Sequence, residues 1–134
     1  MRALLGGLVL AGAAVLAVPG TAHACSCVSA GPREYVEWAD TVVWARVVDV
    51  QRPAPPVGDA HYLLEVDRVY KGEVTRSAQV DSDVSGAACG LEGIESDRSY
   101  AFFLEGRDSP YSATLCGGTG SVDRDRLERV VGDR

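Results

Sequence analysis

The segment Thr41–Val50, TVVWARVVDV, decides the fold class. Six of its ten residues are branched at Cβ, and such residues favour extended backbone over helix. The segment therefore predicts a β-strand. A loop containing three prolines follows over residues 52–59, and because proline cannot donate to a central ladder, the strand must end before it. The next segment, His61–Tyr70, alternates apolar and polar residues and predicts a second strand with one apolar face.

The remaining segments complete a mainly β prediction. A proline in the first turn favours the N-terminal helix, and three apolar residues on one face favour the C-terminal helix. We predict strands at Val74–Val80, Ser99–Glu105 and Tyr111–Leu115, a long loop over residues 81–98, and helices at Pro32–Ala39 and Asp123–Val131, the last with Leu127, Val130 and Val131 on one face. Five strands and two short helices favour a five-stranded Greek-key barrel of the oligonucleotide/oligosaccharide-binding (OB) type, although the strand count also allows a sandwich.

The first 24 residues have the parts of a secretory signal peptide. A positive start at Arg2 is followed by an apolar run, and the segment 22–24 (AHA) matches an A-x-A cleavage site. We therefore predict that residues 1–24 are a signal peptide, that cleavage falls between Ala24 and Cys25, and that residues 25–134 form one secreted domain of 110 residues.

Two other interpretations of the leader stay open. A transmembrane anchor is disfavoured because the apolar run is short and ends in the helix breaker Pro19-Gly20. Lipoprotein processing would also leave Cys25 first, and the lipid would block its thiol and amine. Ala22 and His23, however, stand where a lipoprotein signal usually has Leu and a small residue. We predict secretion, with no transmembrane segment in the processed protein.

Composition and charge narrow the classes of partner. Apolar residues make up 46% of the chain and charged residues 24%, which is typical of a globular protein and excludes a fibre, a disordered tail or a multi-span membrane protein. The formal charge is −6, and loss of Arg2 with the leader makes it −7. Because an acidic domain with one lysine is poorly suited to nucleic-acid phosphates, we predict no nucleic-acid partner. We also predict that the domain is a monomer.

The cysteines predict two disulfides. Four cysteines, Cys25, Cys27, Cys89 and Cys116, lie in the predicted domain, and an even count in a small secreted domain indicates disulfide pairing. A Cys25–Cys27 pair is disfavoured because one intervening residue strains the bond. In an extended segment both point to the same side, so one can reach Cys89 and the other Cys116. A four-cysteine zinc site is disfavoured because the sequence lacks two C-x₂₋₄-C pairs and because the predicted compartment is oxidising.

A family resemblance is carried by short segments spread along the predicted domain: Cys25-Ser26-Cys27-Val28, Pro32, Ala39–Val43, Ala45–Val48, Val69-Tyr70-Lys71-Gly72, Ala88-Cys89-Gly90 and Leu115-Cys116. These segments resemble the N-terminal domain of the tissue inhibitors of metalloproteinases (TIMPs), within the netrin-like superfamily. The likeness extends from Cys25 to about Ser121, and Glu37 stands where the family has a further cysteine. The chain is similar to a bacterial-type, single-domain member.

The resemblance implies a netrin-like barrel with Cys25–Cys89 and Cys27–Cys116 disulfides. In the inhibitors of this family, the free α-amino group and the carbonyl of the first residue chelate the catalytic zinc of the protease, and the second side chain enters its specificity pocket. Carried over, Cys25 is the chelating residue, Ser26 enters the pocket, and Cys27 and Val28 are flanking contacts. An α-amine titrates close to neutral pH, so it loses its proton readily beside Zn²⁺.

Other candidate chemistry is weaker. Asp81, Asp83, Ser85 and Glu92 have the residue types and spacing of a twelve-residue calcium loop. A strand-like segment precedes them and Cys89 lies among them, so an ordinary Asp- and Ser-rich loop is the simpler interpretation. His61 is the only histidine of the predicted domain, and no glycine-flanked nucleophilic serine or phosphate-binding loop is present. We predict that the protein is not an enzyme and holds no cofactor.

We therefore expect a secreted inhibitor of a zinc metalloendopeptidase, acting through Cys25 at its mature N-terminus. The alternative is an extracellular netrin-like module that binds a protein or a glycan through its barrel and inhibits nothing. The free amine of Cys25 distinguishes the two hypotheses, because zinc chelation requires it and binding through a barrel face does not.

Overall fold

Five strands and two helices make up the part of the chain that the computed structural model describes, residues 25–54 and 57–133. The predicted signal peptide lies outside the described residues. In chain order the elements are α1 (Pro32–Trp38), β1 (Thr41–Gln51), β2 (Asp59–Lys71), β3 (Ser77–Asp83), β4 (Ser99–Leu104), β5 (Tyr111–Ser112) and α2 (Arg124–Gly132), with 3₁₀ turns at Gly86–Ala88 and Leu115–Gly117.

The five strands form one curled sheet in the order β4-β1-β2-β3-β5. All neighbours are antiparallel except β3 and β5, which are parallel. The register between β1 and β2 shifts at three places, the last between Val47 and Asp49, and such bulges bend a strand and increase its twist. Beyond the end of β4, Glu105 pairs with Ser112 of β5 through two backbone hydrogen bonds of 2.9 and 3.0 Å. The sheet is thus a half-barrel, and the prediction of a mainly β fold with two helices is confirmed.

Strand β1 separates two hydrophobic cores. Val43, Ala45 and Val47 face the concave side of the sheet, where they pack with Tyr62 and Phe102. The alternate residues Val42 and Trp44 face the opposite side, which both helices cover. That second core consists of Val36, Ala39, Val42, Ala101, Phe103, Val122 and Leu127, with Trp44, Val130 and Val131 packed against it. Burial on both faces explains why the decisive segment contains so many β-branched apolar residues.

Two predicted strands differ from the observed ones. Val74–Val80 was the wrong range for the third strand: β3 spans Ser77–Asp83, because its pairing with β2 continues to Asp83 opposite Asp59. The loop that was predicted to begin at residue 81 therefore begins after Asp83. Tyr111–Leu115 was too long for the fifth strand: β5 is only Tyr111–Ser112, because the chain turns at Leu115 to bring Cys116 to its disulfide partner.

None of the helices in the described ranges is long and apolar enough to cross a membrane. Both predicted helices are present, and the face of α2 that carries Leu127, Val130 and Val131 packs against the second core as predicted. The Asp123 side chain accepts a 2.8 Å hydrogen bond from the Arg126 amide, which caps the first turn of α2.

Candidate functional site

The segment Cys25–Val28 is anchored to the half-barrel at two alternate residues. Cys25 is bonded to Cys89 and Cys27 to Cys116, with Cα–Cα distances of 5.0 and 5.1 Å. No cysteine among the described residues is free. The prediction of two disulfides is confirmed, and the pairs are those that the resemblance implies. Two points of attachment, with one residue between them, fix both the position and the direction of the segment.

The two disulfides lie in contact with each other. The Cys25 sulfur is 3.4 Å from the Cys116 sulfur and 4.0 Å from the Cys27 sulfur. The Cys89 and Cys116 sulfurs are 3.9 Å apart. The described part of the chain contains one group of three potential metal ligands whose ligand atoms all lie within 4.8 Å of one another. This group consists of Cys25, Cys27 and Cys116. All four sulfurs therefore form one cluster at the end of the half-barrel.

Local backbone geometry brings the two partner cysteines together. Cys89 follows the 3₁₀ turn Gly86–Ala88 with a φ of 63°, in the left-handed region. At Gly90 a Cβ atom would overlap the carbonyl oxygen of Asp83, so only glycine fits this close approach. The Leu115 amide then donates a 2.9 Å hydrogen bond to the Cys89 carbonyl. The two loops are thus joined through their backbones as well as through the N-terminal segment.

The anchored segment has an exposed outer side. Ser26, Cys27 and Val28 are all exposed, and Val28 retains 74% of its accessible surface. The segment carries no regular secondary structure before α1 begins at Pro32. Because an apolar side chain is exposed here beside a cross-linked backbone, we treat this segment as a candidate contact surface.

A pocket of about 220 Å³ lies between this segment and helix α1. Phe103 and Tyr35, with ring centroids 5.6 Å apart, both line it. Trp38 lines it too and is 54% exposed. The other lining residues are Val28, Ala39, Glu105, Thr114, Cys116 and Gly117. The pocket offers an apolar recess to a partner's side chain directly beside residues 25–28.

Lys71 fixes the helix that borders this pocket. Its ammonium group donates to the backbone carbonyls of Val36, at 2.9 Å, Glu37, at 3.1 Å, and Ala39. These carbonyls belong to the C-terminal end of α1, where the helix dipole favours a positive charge. Lys71 at the end of β2 thereby holds α1 against the sheet. The sequence resemblance included Lys71 as part of a turn, but it gave no sign of this capping role.

We expect Lys71→Met to lower the unfolding free energy by about 2 kcal/mol, because charge-assisted bonds to three carbonyls are lost while the apolar part of the side chain is kept. Thermal unfolding followed by circular dichroism measures this loss as a fall in Tm of roughly 8 °C. Arg126→Met, which removes an exposed cation from α2, is the matched control and should change Tm by less than about 2 °C. Equal changes in the two variants would contradict the capping role.

The weak calcium candidates do not form a helix-flanked loop. Asp81 and Asp83 lie on β3, where the Asp81 carboxylate is 2.7 Å from His61 Nδ1 and accepts a 2.9 Å hydrogen bond from Gln79. Burial alone would raise the pKa of Asp81, but these two hydrogen bonds and the nearby His61 charge lower it overall. Asp83 accepts from the Ser85 amide at 2.7 Å. Calcium binding by Asp81, Asp83, Ser85 and Glu92 stays a prediction.

A larger groove, of about 470 Å³, lies away from the anchored segment. Three arginines line it together with Glu65 and Asp67, and its remaining lining residues are Val66, Val69, Val74, Thr75 and Ser99. Arg46 pairs with Glu65 at 3.0 Å and with Asp97 at 3.2 Å, and Arg68 lies 3.6 Å from Glu128. These partly exposed pairs leave a polar, mixed-charge surface. We regard the smaller pocket as the better candidate, because it adjoins the anchored segment and has an apolar floor.

Sequence reasoning identified Cys25, Ser26, Cys27 and Val28, and the structure brings them together with Cys89 and Cys116. It missed the aromatic residues that line the pocket beside Val28, of which Tyr35 and Trp38 offered the clearest signal as a pair three positions apart on a short helix. No protein-family profile matches this chain, and no curated protein is significantly similar to it.

Proposed function

We propose that the chain adopts a TIMP-like, netrin-like variant of the OB barrel. Three observations support this proposal: five strands in a single curled sheet, a parallel pairing of β3 with β5, and the Glu105–Ser112 pairing that joins the β4 end of the sheet to β5. A partly open, five-stranded barrel has these features. The two disulfides at one end of the half-barrel agree with the same assignment.

We further propose that the secreted domain inhibits a zinc metalloendopeptidase through its N-terminus. The observation that carries this proposal is the double anchoring of residues 25–28, with Ser26 and Val28 exposed between and beyond the two disulfides. After cleavage between Ala24 and Cys25, the α-amine nitrogen and the carbonyl oxygen of Cys25 are adjacent metal-ligand atoms on a fixed backbone. Its sulfur is occupied by Cys89, so these two backbone groups are what Cys25 offers to the zinc of a protease.

Rigidity gives this arrangement its inhibitory value. A flexible N-terminus would lose backbone entropy on entering an active site, at a cost of about 1–2 kcal/mol per residue fixed. Two disulfides impose that loss during folding instead, so more of the chelation energy appears as affinity. Ser26 is small enough to enter a specificity pocket beside the zinc. The recess between Val28 and Trp38 then receives an apolar side chain from the rim of the protease.

The test compares two proteins that differ at one end. One begins at Cys25, and the other carries one additional Ala before Cys25; a third, with the additional Ala after Arg134, is the matched control. All three are titrated against secreted zinc proteases of several subfamilies. We expect the Cys25 form and the control to inhibit equally and the N-terminal extension to raise the inhibition constant at least 100-fold, because it converts the amine into an amide.

Two further measurements make the outcome decisive. The intact mass of each protein, four hydrogens below that of the reduced chain, confirms both disulfides and excludes a lipid on Cys25. Thermal unfolding confirms that the extension leaves the fold intact. Equal inhibition by the extended and unextended forms would overturn the chelation mechanism. Failure of all three proteins against every protease would overturn the inhibitor proposal in favour of the binding module.

The binding module is the second candidate, and the groove lined by Arg46, Arg68 and Arg76 is the observation that favours it. Guanidinium groups and Thr75 are donors suited to the hydroxyl and carboxylate groups of an acidic glycan. Binding in this groove would be unaffected by an additional N-terminal Ala, which separates it from the inhibitor proposal.

A further inference from the structure

We propose that, when both disulfides are reduced, Cys25, Cys27, Cys89 and Cys116 form a four-thiolate site for a zinc ion. The inference starts from the packing of the sulfurs and is independent of the proposed inhibition, which uses the zinc of a protease. The sequence argued against such a site because it lacks paired C-x₂₋₄-C motifs and because a secreted domain is kept oxidised, so the proposal concerns the reduced protein alone. The structure shows that the tertiary fold gathers the four sulfurs without those motifs.

The distances between the sulfurs suit tetrahedral coordination. With Zn–S bonds of about 2.3 Å, the sulfurs of a tetrahedral Zn(Cys)₄ site are about 3.8 Å apart. Three separations between the two disulfides already match this edge: 3.4 Å between Cys25 and Cys116, 3.9 Å between Cys89 and Cys116, and 4.0 Å between Cys25 and Cys27. Zinc requires two changes. The two bonded pairs must separate, which reduction permits, and Cys89, which lies outside the group of three sulfurs within 4.8 Å of one another, must move closer to Cys27.

Contacts that do not depend on the disulfides support the two loop ligands. The Leu115 amide donates to the Cys89 carbonyl at 2.9 Å, and the Cys89 amide donates to the Gly86 carbonyl at 3.1 Å. Both bonds involve only backbone atoms and can persist after reduction. Cys25 and Cys27 then need only approach a pair of thiolates that the loops already present, with Cys25 half-buried and Cys27 exposed.

The ligand chemistry selects the ion. The closest group of potential ligands in the described ranges contains sulfur alone, and thiolates favour Zn²⁺ over Ca²⁺ or Mg²⁺. Each disulfide takes up two electrons and two protons. A dithiol reductant supplies both and becomes a disulfide itself, whereas a phosphine supplies the electrons and becomes a phosphine oxide with the oxygen of a water molecule, whose protons go to the thiols. The four thiols then bind one Zn²⁺ and release four protons. Covalent cross-linking and zinc coordination are thus alternative, mutually exclusive ways of holding residues 25–28 in place.

The test uses the whole domain, reduced anaerobically with a phosphine and titrated with Co²⁺ and then Zn²⁺. We expect one ion per chain and the intense d–d bands of tetrahedral thiolate-bound Co²⁺. We also expect that bound Zn²⁺ protects all four thiols from an alkylating reagent. The oxidised protein should bind neither ion. The control is the double variant Cys27→Ser/Cys116→Ser, which keeps two thiols and should bind Zn²⁺ at least 100-fold more weakly.

A fold-built site must also restore the fold. We expect Zn²⁺ to raise the Tm of the reduced protein by at least 5 °C and to give a near-ultraviolet circular dichroism spectrum close to that of the oxidised protein. Zinc bound without that spectrum would show a site made by an unfolded chain and would overturn the proposal. Equal zinc affinity of the reduced wild-type protein and the double variant would overturn it as well.

Discussion

Replacing Cys27 and Cys116 together by Ser should lower the unfolding free energy of the oxidised domain by about 4 kcal/mol. The two residues are 89 positions apart, and in the chain-entropy model a cross-link closing a loop of this length stabilises the native state by about 4–5 kcal/mol. Chemical denaturation, with Tm as a second measure, should show a fall of roughly 15 °C or more. The proposed inhibition should weaken too, because Ser26 and Val28 lose one of their two anchors.

The matched variant is Cys25→Ser/Cys89→Ser, whose disulfide spans 64 residues. Since the entropy term depends on the logarithm of loop length, we expect a loss within about 0.5 kcal/mol of the first. The variant without either disulfide should lose less than the sum of the two, because the two closed loops overlap along the chain. Losses below about 1 kcal/mol in both double variants would contradict the view that these bonds stabilise the domain.

Phe103→Ala should lower the unfolding free energy by about 3–5 kcal/mol, the usual cost of truncating a buried aromatic residue. Phe103 is 2% exposed and belongs to the core between the sheet and the two helices. Its ring packs against Tyr35 and lines the pocket beside Val28. Removing the ring therefore leaves a cavity that opens directly beneath the candidate contact surface. Equilibrium denaturation in urea measures the loss.

Phe103→Leu is the control that separates stability from function. It keeps an apolar side chain of moderate volume, so we expect a cost below about 2 kcal/mol and a folded domain. If the pocket receives a side chain of the protease, this folded variant should inhibit several-fold more weakly while the amine of Cys25 is unchanged. If the Phe103→Ala variant is as stable as the wild type, the ring does not support the second core.

The sequence predicted elements whose pattern is local. β-branched density identified β1, alternation identified β2, and the amphipathic pattern of Leu127, Val130 and Val131 identified α2. It failed where a distant partner decides the boundary. The extent of β3 follows from its register with Asp59–Glu65 of β2, and β5 is short because Cys116 must turn toward Cys27.

The candidate site, too, could be predicted from the sequence only in part. The order Cys25-Ser26-Cys27-Val28 is visible in the sequence, as is its likeness to the inhibitor family. The pocket is not visible, because Phe103, Trp38 and Glu105 come from β4, α1 and the chain beyond β4 and meet only in the folded chain. The capping of α1 by Lys71 likewise depends on the end of β2 lying beside the end of the helix.

The bonding of Lys71 has a consequence for chemical modification of the protein. Lys71 is the only lysine in the chain, and its amine is held by three backbone carbonyls. If the domain begins at Cys25, as we propose, an amine-selective acylating reagent applied near neutral pH should modify the α-amine of Cys25 before Lys71, because an α-amine is the less strongly protonated class of amine. A fluorophore or an affinity handle can thus be attached at a single defined atom, and the group it blocks is the one on which the proposed inhibition depends.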